Sequence, residues 1–138
     1  MGKRTRYRDD MDPECQRWGR KYPRFPGVAE CVRLIRAGKA RGTWADIIAL
    51  ELAEHAADCL PDLIETFRTD ESENVRLYVL MALESAKLPE SVPFLAAVLQ
   101  DGNPRLAPYA ERALRNINTS EARAILWKAD QPKSDATS

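Results

Sequence analysis

Along most of the chain apolar residues return every three or four positions, the spacing of one helix face, and short polar stretches separate the runs. Val28, Cys31, Val32 and Ile35 form one run, and Gly38 stands where that helix would stop. Trp44, Ile47, Ile48, Ala49, Leu52 and Ala56 form a wider one. Thr43 is expected to cap it, with Asp46 as the acid of a capping box. Further runs predict helices over about 61–68, 73–86, 92–99 and 104–116, joined by the polar turns 69–72 and 100–103. Asn103-Pro104 reads as a cap followed by a first-turn proline. Pro108 would then lie inside the helix, where proline deletes a hydrogen bond and clashes, so the helix starts near 107 or bends there. Asp12-Pro13-Glu14 predicts the start of a short helix to about Lys21, ended by the Pro/Gly-rich stretch from Tyr22 to Gly27. Ser120 is expected to cap a last helix over 121–129, ahead of a polar tail.

Two of these segments repeat one another at a spacing of 31 residues. Without a gap, Leu63 falls on Phe94, Ile64 on Leu95, Phe67 on Val98 and Asp70 on Asp101. Val75 falls on Leu106, Tyr78 on Tyr109, Val79 on Ala110, and Ala82-Leu83 on Ala113-Leu114. Residues 29–59 read as a degenerate further copy, in which Val32 matches Leu63, Trp44 matches Val75 and Ile47-Ile48 match Tyr78-Val79. A repeated helix pair cannot bury its apolar face alone, so such units stack into a solenoid.

Val75-Arg76 opening a helix and Ala82-Leu83 closing it resemble the second helix of HEAT repeats, in the short form found in phycobilisome-lyase-like and many bacterial HEAT proteins. The resemblance spans residues 28–129 and is strongest over 60–118. It implies an all-α, right-handed α-solenoid of about three HEAT-like helix pairs, with an N-terminal helical cap over 1–27, a C-terminal half-repeat, and a disordered tail over 130–138. In that family a turn acid, here Asp70, commonly pairs with the arginine at the position of Arg76. Ala107 and Ala45 stand at that arginine position in the other copies.

The formal net charge is zero, but it is unevenly spread. Residues 1–41 hold twelve Lys/Arg against five Asp/Glu, and residues 42–138 hold nine against sixteen. The basic head therefore meets either the acidic body of the same molecule or an anionic partner. Nothing in the sequence is long and apolar enough to span a bilayer by a helix, and no apolar signal core follows the start, so a cytoplasmic setting is expected. Three cysteines, Cys15, Cys31 and Cys59, form no disulfide framework and suit a reducing compartment.

Chemistry is sparse. His55 and Cys59 are four apart and would share a helix face, with Cys15 and Cys31 as further thiols, but the spacing matches no zinc motif. His55 aligns with Ala86 and Ile117, which face the core, so a half-buried histidine with a hydrogen-bond partner is the better reading. HEAT-like iron hydroxylases rest on repeated His-Glu pairs, which a chain with a single histidine lacks. Glu51, Glu54, Asp58 and Asp62 read as a solvated helix face and turn. No catalytic residue, metal or cofactor is expected.

Two surfaces remain. In the resembling family the second helices line the inside of the curve. Residues there that point away from the core are Leu77, Met81, Glu84 and Ser85, then Pro108, Arg112, Arg115 and Asn116, and earlier Asp46, Leu50, Ala53 and Glu54. This strip would place Leu50, Leu77 and Met81 at its centre, acids at one end and arginines at the other, an arrangement typical of protein interfaces. Alternatively its apolar members pack against neighbouring helices. The strip suggests a non-enzymatic protein-binding adaptor, inhibitor or immunity-type binder, with an accessory subunit of a modifying enzyme such as a lyase as another possibility. The second surface is Arg17, Trp18, Arg20, Lys21, Tyr22, Arg24 and Phe25, where cations interleave with aromatics as in a nucleic-acid contact. The competing reading packs Trp18, Tyr22 and Phe25 over the first repeat and leaves the cations outside.

Overall fold

The computed structural model describes residues 13–131. Over that range the chain forms α-helices and one 3₁₀ turn, with no strand. The helices are α1 (Pro13–Lys21), α2 (Val28–Arg36), α3 (Thr43–Glu54), α4 (Ala56–Thr69), α5 (Glu73–Ala86), α6 (Val92–Asp101), α7 (Ala107–Ile117) and α8 (Ser120–Ala129). α3, α5 and α7 lie side by side as one layer, and α4 and α6 pack behind α5 and α7. α1 rests against α3, while α8 packs on both α6 and α7. The fold is thus an all-α stack of HEAT-like helix pairs.

The 31-residue register accounts for the core. Val75 and Leu106, Val79 and Ala110, Ala82 and Ala113, and Leu83 and Leu114 are all buried, none more than 3% exposed. Alanine at 82 and 113 lets neighbouring helices approach closely, and each buried leucine contributes roughly 1.5–3 kcal/mol of burial energy.

Helix ends follow local chemistry, with three departures from expectation. The Ser72 hydroxyl accepts from the Val75 amide at 3.2 Å and starts α5. At α8 the cap is Thr119 rather than Ser120: Thr119 has the extended backbone a cap needs, and its hydroxyl accepts from the Ala122 amide at 3.1 Å. At α3 the cap position is Gly42, not Thr43; its φ of 55° turns the chain so that Thr43 already lies in the helix. Asn103 does not cap α7 directly. Its side-chain oxygen accepts from the Arg105 and Leu106 amides at 2.8 and 3.3 Å, closing a turn, and α7 begins at Ala107 with Pro108 in its first turn. There a proline loses no hydrogen bond. Pro61 acts similarly in α4, where the backbone breaks at Cys59 (φ −111°, ψ 16°) and a regular helix resumes from the proline.

The head of the described chain packs inward. Trp18 is 1% exposed, with its ring 4.6 Å from Tyr22 and 5.3 Å, edge-on, from Trp44. The Tyr22 hydroxyl donates to Glu30 at 2.6 Å, and Phe25 stacks on His55 at 4.1 Å. Arg33 and the Tyr22 hydroxyl together draw the Glu30 carboxyl down to about 2.

The turn acid Asp70 has a different partner from the one the resemblance implies. Its carboxylate accepts from the Ser72 amide at 2.8 Å and pairs with Arg36 of the preceding repeat. Arg76 instead donates to the Phe67 carbonyl at 3.1 Å and lies over the Phe67 ring. Burial raises the Asp70 carboxyl, but the Ser72 amide, Arg36 and the more distant Arg76 outweigh it and hold it below the usual carboxylate range.

Candidate protein-binding groove

Because α3, α5 and α7 run side by side, residues 31 apart form ladders across them. One ladder is Leu50, Met81 and Arg112. Together with Asp46, Ala49, Ala53, Glu84, Ser85 and Tyr109 these residues line an open groove of about 430 Å³. Leu50 is 43% exposed and Met81 half-buried, so the floor is apolar and wet. Leu50 and Trp127 are the only large hydrophobic residues exposed among the described ones.

Of the twelve residues that the sequence selects, Asp46, Leu50, Ala53, Met81, Glu84, Ser85 and Arg112 converge here. Leu77, Glu54, Arg115, Pro108 and Asn116 do not line the groove. Leu77 is half-buried and packs against the core. Glu54 is exposed at the end of α3. Arg115 lies in a separate recess with Leu99, Leu126 and Trp127. Ala49 and Tyr109 are lining residues that the sequence reading did not select.

The charges are not segregated to opposite ends. Arg112 donates through Nε to Glu84 at 3.2 Å, and its guanidinium sits 4.5 Å from the centre of the Tyr109 ring. Asn116 donates to the Glu84 carbonyl at 3.1 Å, so α7 is pinned to α5 along the groove wall. Arg115 is occupied by Glu111 on its own helix at 2.5 Å. Exposed pairs of this kind stabilise little, about 0–1 kcal/mol each, but they fix side-chain positions beside an apolar floor.

The second candidate surface is divided. Trp18 is in the core, while Tyr22 is half-buried, with its hydroxyl held by Glu30 and its ring beside an open recess. Arg17, Arg20, Lys21 and Arg24 are exposed. Basic residues before position 13 lie outside the described residues.

Around His55 the outcome differs from a solvated acidic face. Glu51 is 2% exposed, with His55 Nε2 3.7 Å from its Oε1. That oxygen is buried without a hydrogen-bond partner among the described residues. The register explains the burial, since Glu51 aligns with Ala82 and Ala113, both fully buried. Cys31 is also fully buried, and that burial, followed by the nearby Glu51, pushes its thiol up to about 12. Such a thiol is held protonated and inert. The Cys15 side chain lies outside the described residues. Among those described, no group of three His, Cys, Asp or Glu is arranged to hold a metal ion, and no helix is long and apolar enough to cross a membrane.

Searches of the curated proteins and of the solved structures return no match. The family model for HEAT repeats matches residues 60–137, more than half of the chain. HEAT repeats are generally protein-interaction modules and typically non-catalytic. With paired helices stacked in a 31-residue register and that match across the better-formed repeats, the chain belongs to the HEAT-repeat family.

Proposed function

We propose that the chain is a non-enzymatic binding module that grips a partner protein along the groove across α3, α5 and α7. The observation that carries this reading is Leu50: a large apolar residue held exposed on a rigid helix, beside Met81 and two alanines, with the Glu84–Arg112 pair at the rim. An apolar floor that a protein side chain can fill, edged by fixed polar groups, is the usual anatomy of a binding hot spot. The partner therefore presents an apolar anchor flanked by polar groups, as an inhibitor's or adaptor's target would.

The test is affinity capture from the native host with the wild type, with Leu50→Asp plus Met81→Asp, and with Trp127→Asp. The groove variant is expected to lose a specific partner that the other two retain, while its helical circular dichroism and melting temperature stay near those of the wild type. Capture of the same proteins by all three would end this reading. Nucleic-acid binding through Arg17–Arg24 is the weaker alternative, because buried Trp18 offers no ring for a base to stack on.

A further inference from the structure

A recess of about 580 Å³ opens between the end of α1, α2 and the turn into α3. Its walls carry Lys21, Arg33, Lys39 and Arg41 together with Tyr22 and Trp44, and no carboxylate lines it among the described residues. Arg33 is committed to Glu30, with hydrogen bonds of 2.8 and 2.7 Å. Lys39 and Arg41 are exposed and make no ion pair among the described residues. Lys21 Nζ stands 5.3 Å from the centre of the Tyr22 ring.

The turn is built to present these cations. Gly38 (φ 75°) and Gly42 (φ 55°) bracket it in the left-handed region, where other residues are strained. The Lys39 amide donates to the Leu34 carbonyl at 3.0 Å, and the Arg41 amide to the Lys39 carbonyl at 2.9 Å. Glu30 neutralises Arg33 and lies near enough to Lys21 to feel its charge, but Lys39 and Arg41 have no counter-charge among the described residues, and a bound anion relieves the repulsion that remains. Trp44 is held edge-on by Trp18, so one aromatic wall is fixed in place.

We propose that this recess binds a phosphate-bearing ligand of mononucleotide size, its phosphate on Lys21, Lys39 and Arg41 and its planar base against Trp44. The volume falls within the roughly 300–1,000 Å³ of small-molecule sites. Arginine and lysine supply the donors a phosphate needs, and an indole accepts any base by stacking. The site is separate from the groove, so either can fail alone.

Calorimetry of the full chain at low salt, titrated with adenosine monophosphate, adenosine and inorganic phosphate, tests this. The expected result is saturable one-to-one binding of the monophosphate, weaker binding of phosphate, and none of adenosine. Lys39→Glu plus Arg41→Glu should weaken binding by at least about tenfold, with Arg41→Gln as a milder companion should the double variant fail to fold. Lys128→Glu, on α8, should bind as the wild type does. A 5′-phosphorylated dinucleotide bound more tightly than the monophosphate identifies a nucleic-acid end as the source; equal affinity identifies a free nucleotide. The proposal is overturned by absence of saturation at millimolar monophosphate, by phosphate or adenosine binding as tightly, or by Lys128→Glu weakening binding as much as the recess variants.

Discussion

Asp70 and Asp101 stand at the same turn of successive repeats, yet Asp70 is 5% exposed and Asp101 lies in solvent. The difference comes from what the preceding repeat offers. Thirty-four residues before Asp70 is Arg36, which pairs with it. Thirty-four before Asp101 is Phe67, whose ring meets Phe94 edge-on at 5.0 Å. Asp101 stays outside and makes no ion pair among the described residues, although Arg68 and Arg76 line the same recess, and its turn is tied to the preceding repeat by Arg105 to Glu73 at 2.9 Å. The tyrosines diverge in the same way. Tyr78 is buried with its hydroxyl 3.5 Å from the Ala40 carbonyl, while Tyr109 is half-buried beneath Arg112. The register sets where a residue stands, and the neighbouring repeat decides what it meets.

The comparison is sharpest at the two acids. Asp70→Asn is expected to cost about 2 kcal/mol, because it weakens charge-assisted hydrogen bonds to the Ser72 amide and Arg36, whereas Asp101→Asn should change stability by under about 0.5 kcal/mol. Urea denaturation of both variants checks this, and equal effects would remove the distinction. The pH dependence follows from the depressed Asp70 pKa. Its contribution is complete above the unfolded value of about 3.9 and is lost as pH falls through the lower folded value. The wild type should therefore lose more stability than Asp70→Asn on acidification below about pH 4.

A smaller effect probes the first repeat against the other two. Glu51 buries a carboxylate where they bury alanine, and one of its oxygens lacks a hydrogen bond among the described residues. Glu51→Met keeps similar volume without that desolvation cost and should raise stability by about 1 kcal/mol. A loss of stability instead would show that the carboxylate is well satisfied. The smallest effect lies at the equivalent helix stops Lys87 and Asn118, both at φ 55°. Asparagine tolerates this region better than lysine, so Lys87→Asn should add a few tenths of a kcal/mol to stability, while Asn118→Lys should subtract a similar amount. Thermal melts of the two exchanges provide the check.

Much of the fold was legible because its signals are local or periodic. The range 73–86 coincides with α5, and the prolines at 61 and 108 marked where regular helix starts. Glu51 was misread as solvated because its charge and acidic neighbours outweighed a register that placed it on Ala82. The groove was half legible. Helical spacing selects an outward arc, but which of Arg112 and Arg115 enters the groove depends on where α5 and α8 lie. The cationic recess was less legible still: its lysines and arginines come from segments whose approach depends on Trp18 docking against α3.

The placement of the three indoles has a practical consequence. Trp18 is sealed and meets Trp44 edge-on, whereas Trp127 is 68% exposed at the other end of the stack. Intrinsic emission is thus divided among a sealed indole, its half-buried neighbour at the recess and one chromophore in water, and acrylamide should quench the last preferentially. Loosening of the first helix would be visible spectroscopically, as a red shift of the shielded component, before the rest of the molecule melts.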